Sequence, residues 1–399
     1  MKKSLTFHYT LQQIAFWAAA AGVVTFASAF LLEKGFAASQ VGVLLACGNL
    51  LSCAAQPLLA DRADRAGPKL INLFIIGLTG ICMLCFLILL LVPLSTVFFG
   101  LLYLTAVFSF DAMLPLLNAL CVAYTRENYS INYGFGRGVG AFAFSLAALG
   151  IGRVIADFGA DWMLWIALVL LAANIITTLA YPRLSGVTNG ENTVSNCCSI
   201  PVFFIRYKWY CISLLGVMLL AMFHSMTENY MIKLMEKLGG DSGSVGVALF
   251  VATAIEMVVL LYLEKIRKFA RDNTLFKIAG LSFVLKAILL LVAPSVKAIY
   301  FIQLLQATSY TFLAPVQLYY ASNKVLPDDM VKGQAFIAAS YTLGCAAGNF
   351  TGGQLVEALG VNAMLIAGIV ISIAGTAILF MTVEKNDKPD GIVNMKKEA

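Results

Sequence analysis

The sequence predicts an all-α membrane protein with twelve transmembrane helices in two pseudo-symmetric six-helix bundles. Of the 399 residues, 60% are hydrophobic and 12% are charged, whereas about a quarter of the residues in a soluble domain are charged. Apolar runs long enough to cross a bilayer recur along the whole chain. These runs do not alternate like barrel strands, so we expect helices, which satisfy their own backbone groups in lipid.

The predicted spans follow the apolar runs in chain order. Their limits are 10–32, 40–60, 70–92, 97–124, 134–156, 161–180, 209–235, 243–263, 274–293, 298–323, 333–357 and 361–382. The longest connection separates six spans from six. We therefore expect an N-terminal bundle, a cytoplasmic central loop, a C-terminal bundle and a charged cytoplasmic tail, over 1–181, 182–208, 209–383 and 384–399 respectively.

The basic residues support this count of spans. With the N-terminus inside, 21 of the 27 Lys and Arg residues fall on the inner side, and five fall on the outer side: Lys34, Arg153, Lys233, Lys237 and Lys297. Such asymmetry is what the positive-inside rule predicts, and a miscounted span would scramble it. The net charge of +6 is therefore a topology signal, and we do not expect nucleic-acid binding. The predicted location is the bacterial inner membrane, with both termini cytoplasmic.

The two halves resemble each other in sequence. IGRVIADFGADWML (151–164) aligns with GGQLVEALGVNAML (352–365), and Pro115 and Pro315 occupy corresponding spans. Duplicated halves around a central site are the architecture of secondary transporters. No nucleotide-binding motif or second deep histidine accompanies this pattern, so we expect neither an enzyme nor a cofactor. The nine cysteines lie in apolar runs or the central loop and suit packing better than disulfides.

Five ionisable residues lie inside predicted spans: Asp111, His224, Glu228, Glu256 and Lys286. Such residues are rare in membranes and usually face a cavity or one another. Lys286 lies at the centre of IAGLSFVLKAILLLVA, and Glu256 is on the preceding helix. We therefore predict an ion pair between them, which either lines the transport cavity or satisfies two charges structurally.

Two further pairs share helix faces. His224 and Glu228 are four residues apart, and histidine titrates near physiological pH, so we predict a role in proton coupling. The alternative for His224 is a satisfied core residue. Asp111 and Asn118 are two turns apart, with Pro115 between them predicting a kink. We predict that Asp111 binds a proton or contacts the substrate. The alternative is that its carboxyl group forms a hydrogen bond to a neighbouring helix.

The loop after span two carries a motif that resembles a family signature. ADRADRAGPKL, with Asp64, Arg65 and Lys69, resembles the D-R-x-G-x-K/R signature of the major facilitator superfamily, although Ala60 replaces the leading glycine. The resemblance covers almost the whole chain. It implies that these three residues form a conformational gate at the cytoplasmic face.

A narrower resemblance is to the branch of lactose and phenylpropionate permeases, which are proton symporters. PLLNALCVAY and NYGFGRGVGAF (115–140) are similar to conserved stretches of that branch, with Arg137 at its first arginine and Asn118 at its aspartate. Glu256 and Lys286 match a sugar-contacting glutamate and a span-nine arginine. The branch's span-ten His and Glu are Gln306 and Ser309 here, and His224 with Glu228 is our predicted replacement.

These residues predict a monomeric, proton-coupled symporter that moves a small polar organic solute across the lipid bilayer by alternating access. A sugar-like solute is the first choice, since amides and aromatic faces suit polyhydroxyl solutes. The alternatives are a proton-driven exporter of drugs or metabolites, and uptake of an aromatic acid or a nucleoside. The predicted substrate cavity contains Trp17, Asn118, Arg137, Gln306, Tyr310 and Gln317.

Overall fold

The computed structural model describes residues 4–126, 129–182, 200–326 and 329–385. Backbone alone is described at 57, 58, 60–70, 122, 126, 200, 264, 314, 315, 317–319, 322 and 330–332. The first half contains α1 (Thr6–Ala20), a π-helical turn (Ala21–Thr25), α2 (Ala27–Glu33), α3 (Ala38–Leu91), α4 (Thr96–Asp111), α5 (Met113–Arg126), α6 (Tyr133–Phe158) and α7 (Asp161–Leu179).

The second half is also helical. It contains α8 (Ile200–Arg206), α9 (Lys208–Asn229), α10 (Met231–Lys237), α11 (Ser242–Phe269), α12 (Asp272–Leu291), α13 (Val296–Ile302), a 3₁₀ segment (Gln303–Ala307), α14 (Tyr310–Lys324), α15 (Met330–Leu359) and α16 (Val361–Thr382). Helical backbone covers most of each of the twelve predicted spans. In the described chain, nine helical segments are long and apolar enough to cross a membrane, and the bent pair 6–25 and 27–33 is a tenth candidate. The all-helical membrane fold is thus confirmed.

Three local features differ from the sequence prediction. The connection after span two is not a loop, because α3 runs through both spans and the connection; its Ala, Arg and Lys residues are good helix formers. The predicted central loop 182–208 includes α8. Span four breaks at Ala112 instead of at Pro115. Pro115 falls in the first turn of α5, where a missing N–H costs no intrahelical bond.

The two halves meet along two seams, where α3 packs against α15 and α6 packs against α11. Glycines allow the backbones to approach closely there. A Cβ atom on Gly152 would lie 2.6 Å from the main-chain oxygen of Ser242, and one on Gly42 would lie 2.5 Å from that of Asn349. Close backbone approach through small residues is typical of helix packing in membranes. We call the end of the molecule that contains Gly42 and Gly152 the seam end.

Hydrogen bonds also join the halves toward the seam end. Ser28 donates to the main-chain oxygen of Asn229, and Tyr230 donates to that of Ala38 at 3.3 Å. The main-chain N–H of Ser39 donates to the Glu357 carboxylate at 2.8 Å. Between described residues, these are the three hydrogen bonds that cross from one half to the other. The structure is therefore closed at the seam end.

Candidate functional site

A cavity of about 180 Å³ lies between the two halves. Helices α3 and α4 and the π-helical turn of the first half contribute to its wall, and α9 and α15 of the second half complete it. The lining residues are Val24, Thr25, Leu45, Asn49, Val107, His224, Ser225, Glu228, Asn229, Tyr341, Cys345 and Asn349. We call this space the central cavity. It contains a carboxyl group, an imidazole and three amides, which can both donate and accept hydrogen bonds.

Asn349 is a polar group of the central cavity whose side chain is held by hydrogen bonds. Its side-chain oxygen accepts hydrogen bonds from the Ser225 hydroxyl at 2.6 Å and from the Asn229 amide at 2.7 Å. Its main-chain oxygen accepts from the Tyr230 hydroxyl at 3.0 Å. Because two donors fix the oxygen, the amide NH₂ of Asn349 is oriented by the protein, with its donors available to a solute.

His224 faces this cavity with an aromatic partner behind it. The ring stacks on Tyr310, with centroids 4.4 Å apart and planes at 15°. The side chain is 7% exposed, and its Nδ1 atom has no hydrogen-bond partner among the described residues. No ion pair joins His224 to Glu228 in the described chain, although both line the central cavity. The predicted shared face is thus observed, and a direct pair is not.

Lys286 is buried, with 1% exposure, and its ammonium donates to the side-chain oxygen of Gln306 at 2.8 Å. No ion pair joins Lys286 to Glu256 in the described part of the chain, although each lies within electrostatic range of the other, and the predicted pair stays a prediction. The reason for their separation is packing: α12 lies chiefly against α14 and α16, while α11 lies against α6 and the 3₁₀ segment. The short loop between α11 and α12 therefore does not make them close neighbours. Gln306 lies on the 3₁₀ segment, which touches both.

Arg137 and Trp17, two predicted cavity residues, are in direct contact. The guanidinium carbon lies 3.7 Å from the centre of the Trp17 ring, within cation–π distance. The indole N–H of Trp17 donates to Gln13 at 2.9 Å, which orients the ring. Glu256 lies within electrostatic range of Arg137, Glu228 and Lys286. A field from charges on both halves therefore acts on its carboxyl group.

The span-four residues lie apart from these contacts. Asp111 ends α4, and its main-chain oxygen accepts a long hydrogen bond of 3.4 Å from Gln56. Asn118 accepts from the Tyr133 hydroxyl at 3.4 Å. The turn at Ala112 lies between Asp111 and Asn118, within a stretch, Thr96–Thr125, that is long and apolar enough to be one span.

Four predicted residues fall outside the described side chains. They are the gate residues Asp64, Arg65 and Lys69, within α3, and the cavity residue Gln317, within α14. Conversely, Asn229, Ser225, Tyr341 and Cys345 line the central cavity and were not among the predicted site residues. The cluster HSMTEN (224–229) was a usable signal for the first two, whereas nothing in the sequence around Tyr341 or Cys345 marks them.

Comparison with known proteins gives the family. Residues 5–374 match the MFS_1 like family. The chain belongs to this family. No curated protein sequence matches it. As an MFS chain with this fold, it is a transporter.

Solved structures show how this MFS chain is built. A point mutant of the nucleoside transporter NupG is similar to it, with a TM-score of 0.80, 14% identity, and coverage of 96% of this chain and 100% of the other. NupG itself has a TM-score of 0.78 and 14% identity, with 95% and 98% covered. A bacterial homolog of the human lysosomal transporter Spinster, in an inward-facing, unoccupied conformation, has a TM-score of 0.63 and 14% identity, with 97% and 98% covered. At this identity the similarity concerns the fold.

Proposed function

We propose that this chain is a proton-coupled symporter of a small polar organic solute, with a sugar-like solute as the first choice. The observation that carries the proposal is the central cavity, which lies between the halves and includes both the Glu228 carboxyl and the His224 imidazole. Sites between repeated halves are where secondary transporters bind their substrates. A carboxyl and an imidazole are groups whose protonation can change in a transport cycle.

The size and chemistry of the central cavity support a small polar solute. Its volume of about 180 Å³ is smaller than the roughly 300–1,000 Å³ typical of pockets for drug-sized ligands. Asn349 presents oriented donors, and Glu228 and Asn229 add acceptors. Hydroxyl groups of a solute can both donate to and accept from such a set. Export of bulky drugs is therefore the weaker alternative.

In the proposed cycle, the solute and a proton enter the central cavity from the side that the basic residues predict to be outside. Protonation of the Glu228, Glu256 or Asp111 carboxylate removes a negative charge and lowers the cost of closing the halves around the loaded site. Protonation of His224 instead adds a positive charge, which attracts the Glu228 carboxylate in the same cavity. Lys286 remains held by Gln306 during this step. The observed closed seam end corresponds, in the predicted orientation, to a carrier closed toward the outside.

A nucleoside is the second candidate solute. NupG, a nucleoside transporter, shares the fold over nearly the full length. The stacked pair of His224 and Tyr310 offers a flat aromatic surface beside the polar cavity, and such surfaces suit nucleobases. A nucleoside also contains a sugar, so the amides of the central cavity serve either solute.

Uptake into proteoliposomes with an imposed pH gradient tests both candidates. Sugars, nucleosides and aromatic acids are presented separately, with the outside acidic. We expect accumulation of one class in wild-type protein and loss of accumulation in Glu228→Gln. Glu236→Gln is the matched control, because Glu236 is an exposed carboxylate of α10 outside the cavity.

The outcomes separate the proposals. Accumulation of a nucleoside that free sugars do not compete with selects the second candidate. Uptake at the same rate and to the same level with and without the pH gradient contradicts proton coupling. Outward movement from loaded vesicles, without uptake, selects the exporter.

A further inference from the structure

A second polar cavity lies at the opposite end of the molecule from the seam end, where α11 meets α12. Its volume is about 330 Å³, and Arg267, Arg271, Asp272, Asn273, Asn323 and Lys324 line it. We call it the basic cavity, because three of these side chains are cationic and one is acidic. The transport scheme above uses none of them.

The acidic residue of the basic cavity is already bound by its neighbours. Arg267 donates to both oxygens of Asp272, at 2.9 and 3.2 Å, and Asn323 donates to one of them at 3.0 Å. These bonds tie the end of α11 to the start of α12 and the end of α14. Asp272 therefore serves to hold the cavity together, and it does not cancel the charge of Arg271.

Arg271 presents its charge openly. The residue is exposed, and no carboxylate of the described chain lies within salt-bridge distance of it. Its guanidinium shares the basic cavity with the ammonium of Lys324, which donates to the main-chain oxygen of Lys385. The Glu384 carboxylate accepts from Asn273 at 3.4 Å and lies within electrostatic range of Lys324. Arg271 is therefore the cation that the cavity offers to an anion. A guanidinium binds a phosphate with two parallel hydrogen bonds.

The surroundings of the basic cavity match a membrane boundary. Phe269 is 93% exposed, and Leu261, one of the exposed residues on the last turns of α11, is 71% exposed. Large apolar side chains at a helix end beside arginines are typical of the region where acyl chains meet headgroups. A ligand there can place its phosphate in the cavity and its chains along α11.

We propose that the basic cavity binds the phosphate group of an anionic phospholipid. Basic pockets between transmembrane helices are known to take such headgroups, and each basic residue at the membrane surface contributes a modest attraction. Bound lipid adds a bridge between the ends of α11, α12 and α14, which Arg267 and Asn323 already join through Asp272.

Native mass spectrometry of the full chain in detergent tests this site, with phosphatidylglycerol and phosphatidylcholine added separately. We expect wild-type protein to retain phosphatidylglycerol preferentially, and Arg271→Gln to bind it about fivefold more weakly. Lys268→Gln is the matched control, because Lys268 is an exposed cation at the end of α11, three residues before Arg271, and does not line the cavity. Neither side chain makes a described hydrogen bond, so both variants are expected to fold.

The possible results decide the proposal and the source of the phosphate. Selective loss in Arg271→Gln supports a lipid site. If glycerol phosphate stabilises wild-type protein but not Arg271→Gln, and phosphatidylglycerol gives no adduct, the phosphate site stands and its ligand is soluble. Equal loss in Lys268→Gln overturns the proposal, because diffuse surface charge then explains the binding. Equal retention of phosphatidylcholine by wild-type protein also overturns it, because contacts with the acyl chains then explain the binding.

Discussion

Single side chains show how this protein accommodates charge inside a membrane. Lys286 is buried at the centre of an apolar helix, and the side-chain oxygen of Gln306 accepts a hydrogen bond from its ammonium. A lysine at a helix centre costs about 2.5–3.5 kcal/mol on insertion scales. A neutral amide recovers part of this cost without neutralising the charge. The field of Lys286 thus still reaches Glu228 and Glu256.

Removing the amide should expose the cost of the buried ammonium. We expect Gln306→Leu to destabilise the folded protein by about 1.5–3 kcal/mol, the range for a hydrogen bond to a charged group. In a Lys286→Met background the same change should cost much less, because no ammonium needs a partner. Thermal unfolding of the four proteins in one detergent measures this double-mutant cycle. Additive effects would show that the hydrogen bond contributes little.

Asn349 offers a second test at the residue scale. Asn349→Asp keeps the oxygen that accepts from Ser225 and Asn229 but removes the NH₂ donors. We therefore expect transport of the solute to fall about tenfold or more, because a second carboxylate also faces Glu228 across the central cavity. Gln354→Glu, a change at an exposed position five residues further along α15, is the control. Solute affinity equal to wild type in Asn349→Asp would remove Asn349 from the binding site.

At the scale of elements, helix ends and breaks position the site. The π-helical turn at Ala21–Thr25 and the break at Ala112 interrupt spans one and four, and the 3₁₀ segment Gln303–Ala307 interrupts span ten. The 3₁₀ segment carries Gln306, whose side chain contacts Lys286. A sequence that predicts one continuous α-helix through span ten does not predict this contact.

The cap of α11 gives an element-scale prediction. Asp241 accepts from the main-chain N–H of Ser244 at 2.8 Å, and this bond, with the Ser244 hydroxyl, lowers the pKa of Asp241. We expect Asp241→Ala to cost about 0.5–2 kcal/mol of stability. Asp241→Asn should retain most of it, since an amide oxygen still accepts the bond.

The pH dependence of the cap follows from the lowered pKa. A carboxyl group whose folded pKa is depressed stabilises the protein above its unfolded pKa, which is about 3.9 for aspartate. That contribution is lost as pH falls through the folded pKa. The advantage of wild type over Asp241→Asn in thermal unfolding should therefore be present at pH 7 and vanish in acid. An advantage that persists in acid would contradict this account.

At the scale of the whole molecule, the two halves contact each other at the seam end, where α6 packs against α11 and α3 packs against α15. A Cβ at Gly152 would meet the main-chain oxygen of Ser242 at 2.6 Å, and backbone atoms cannot rotate away as a side chain can. Gly150, two residues earlier on the same helix, has no atom of the described residues within 4 Å of such a Cβ, apart from its own chain neighbours and helix backbone. Alanine substitution at both glycines therefore distinguishes a steric clash at the seam from the effect of replacing a glycine within α6.

We expect Gly152→Ala to hold the seam end open and slow uptake, with Gly150→Ala as the matched control. Overpacking typically costs about 1–3 kcal/mol, enough to shift a balanced equilibrium strongly. Spin labels at Phe158 and Leu359, both exposed at this end, report the separation of the halves by pulsed electron paramagnetic resonance. Equal distance distributions in both variants would show that the seam does not control this end.

Several features of this protein are determined by its sequence alone. Long apolar runs dictate helices, because lipid offers no hydrogen-bond partners to a bare backbone. Repeated motifs indicate two related halves, and the DRADRAGPK signature indicates the superfamily to which the match over 5–374 belongs. The sequence also identifies the ionisable residues to mutate first, since ionisable groups in apolar runs are rare.

Tertiary structure decided how those residues meet. The choice of Gln306 over Glu256 as the hydrogen-bond partner of Lys286 depends on α12 lying against α14 and α16, which no local pattern encodes. The cavity residues Asn229, Tyr341 and Asn349 come together from helices far apart in the chain. Helix formation depends on hydrogen bonds a few residues apart, whereas the site depends on the packing of whole helices across two bundles. Sequence therefore specified which groups are present, and packing specified their neighbours.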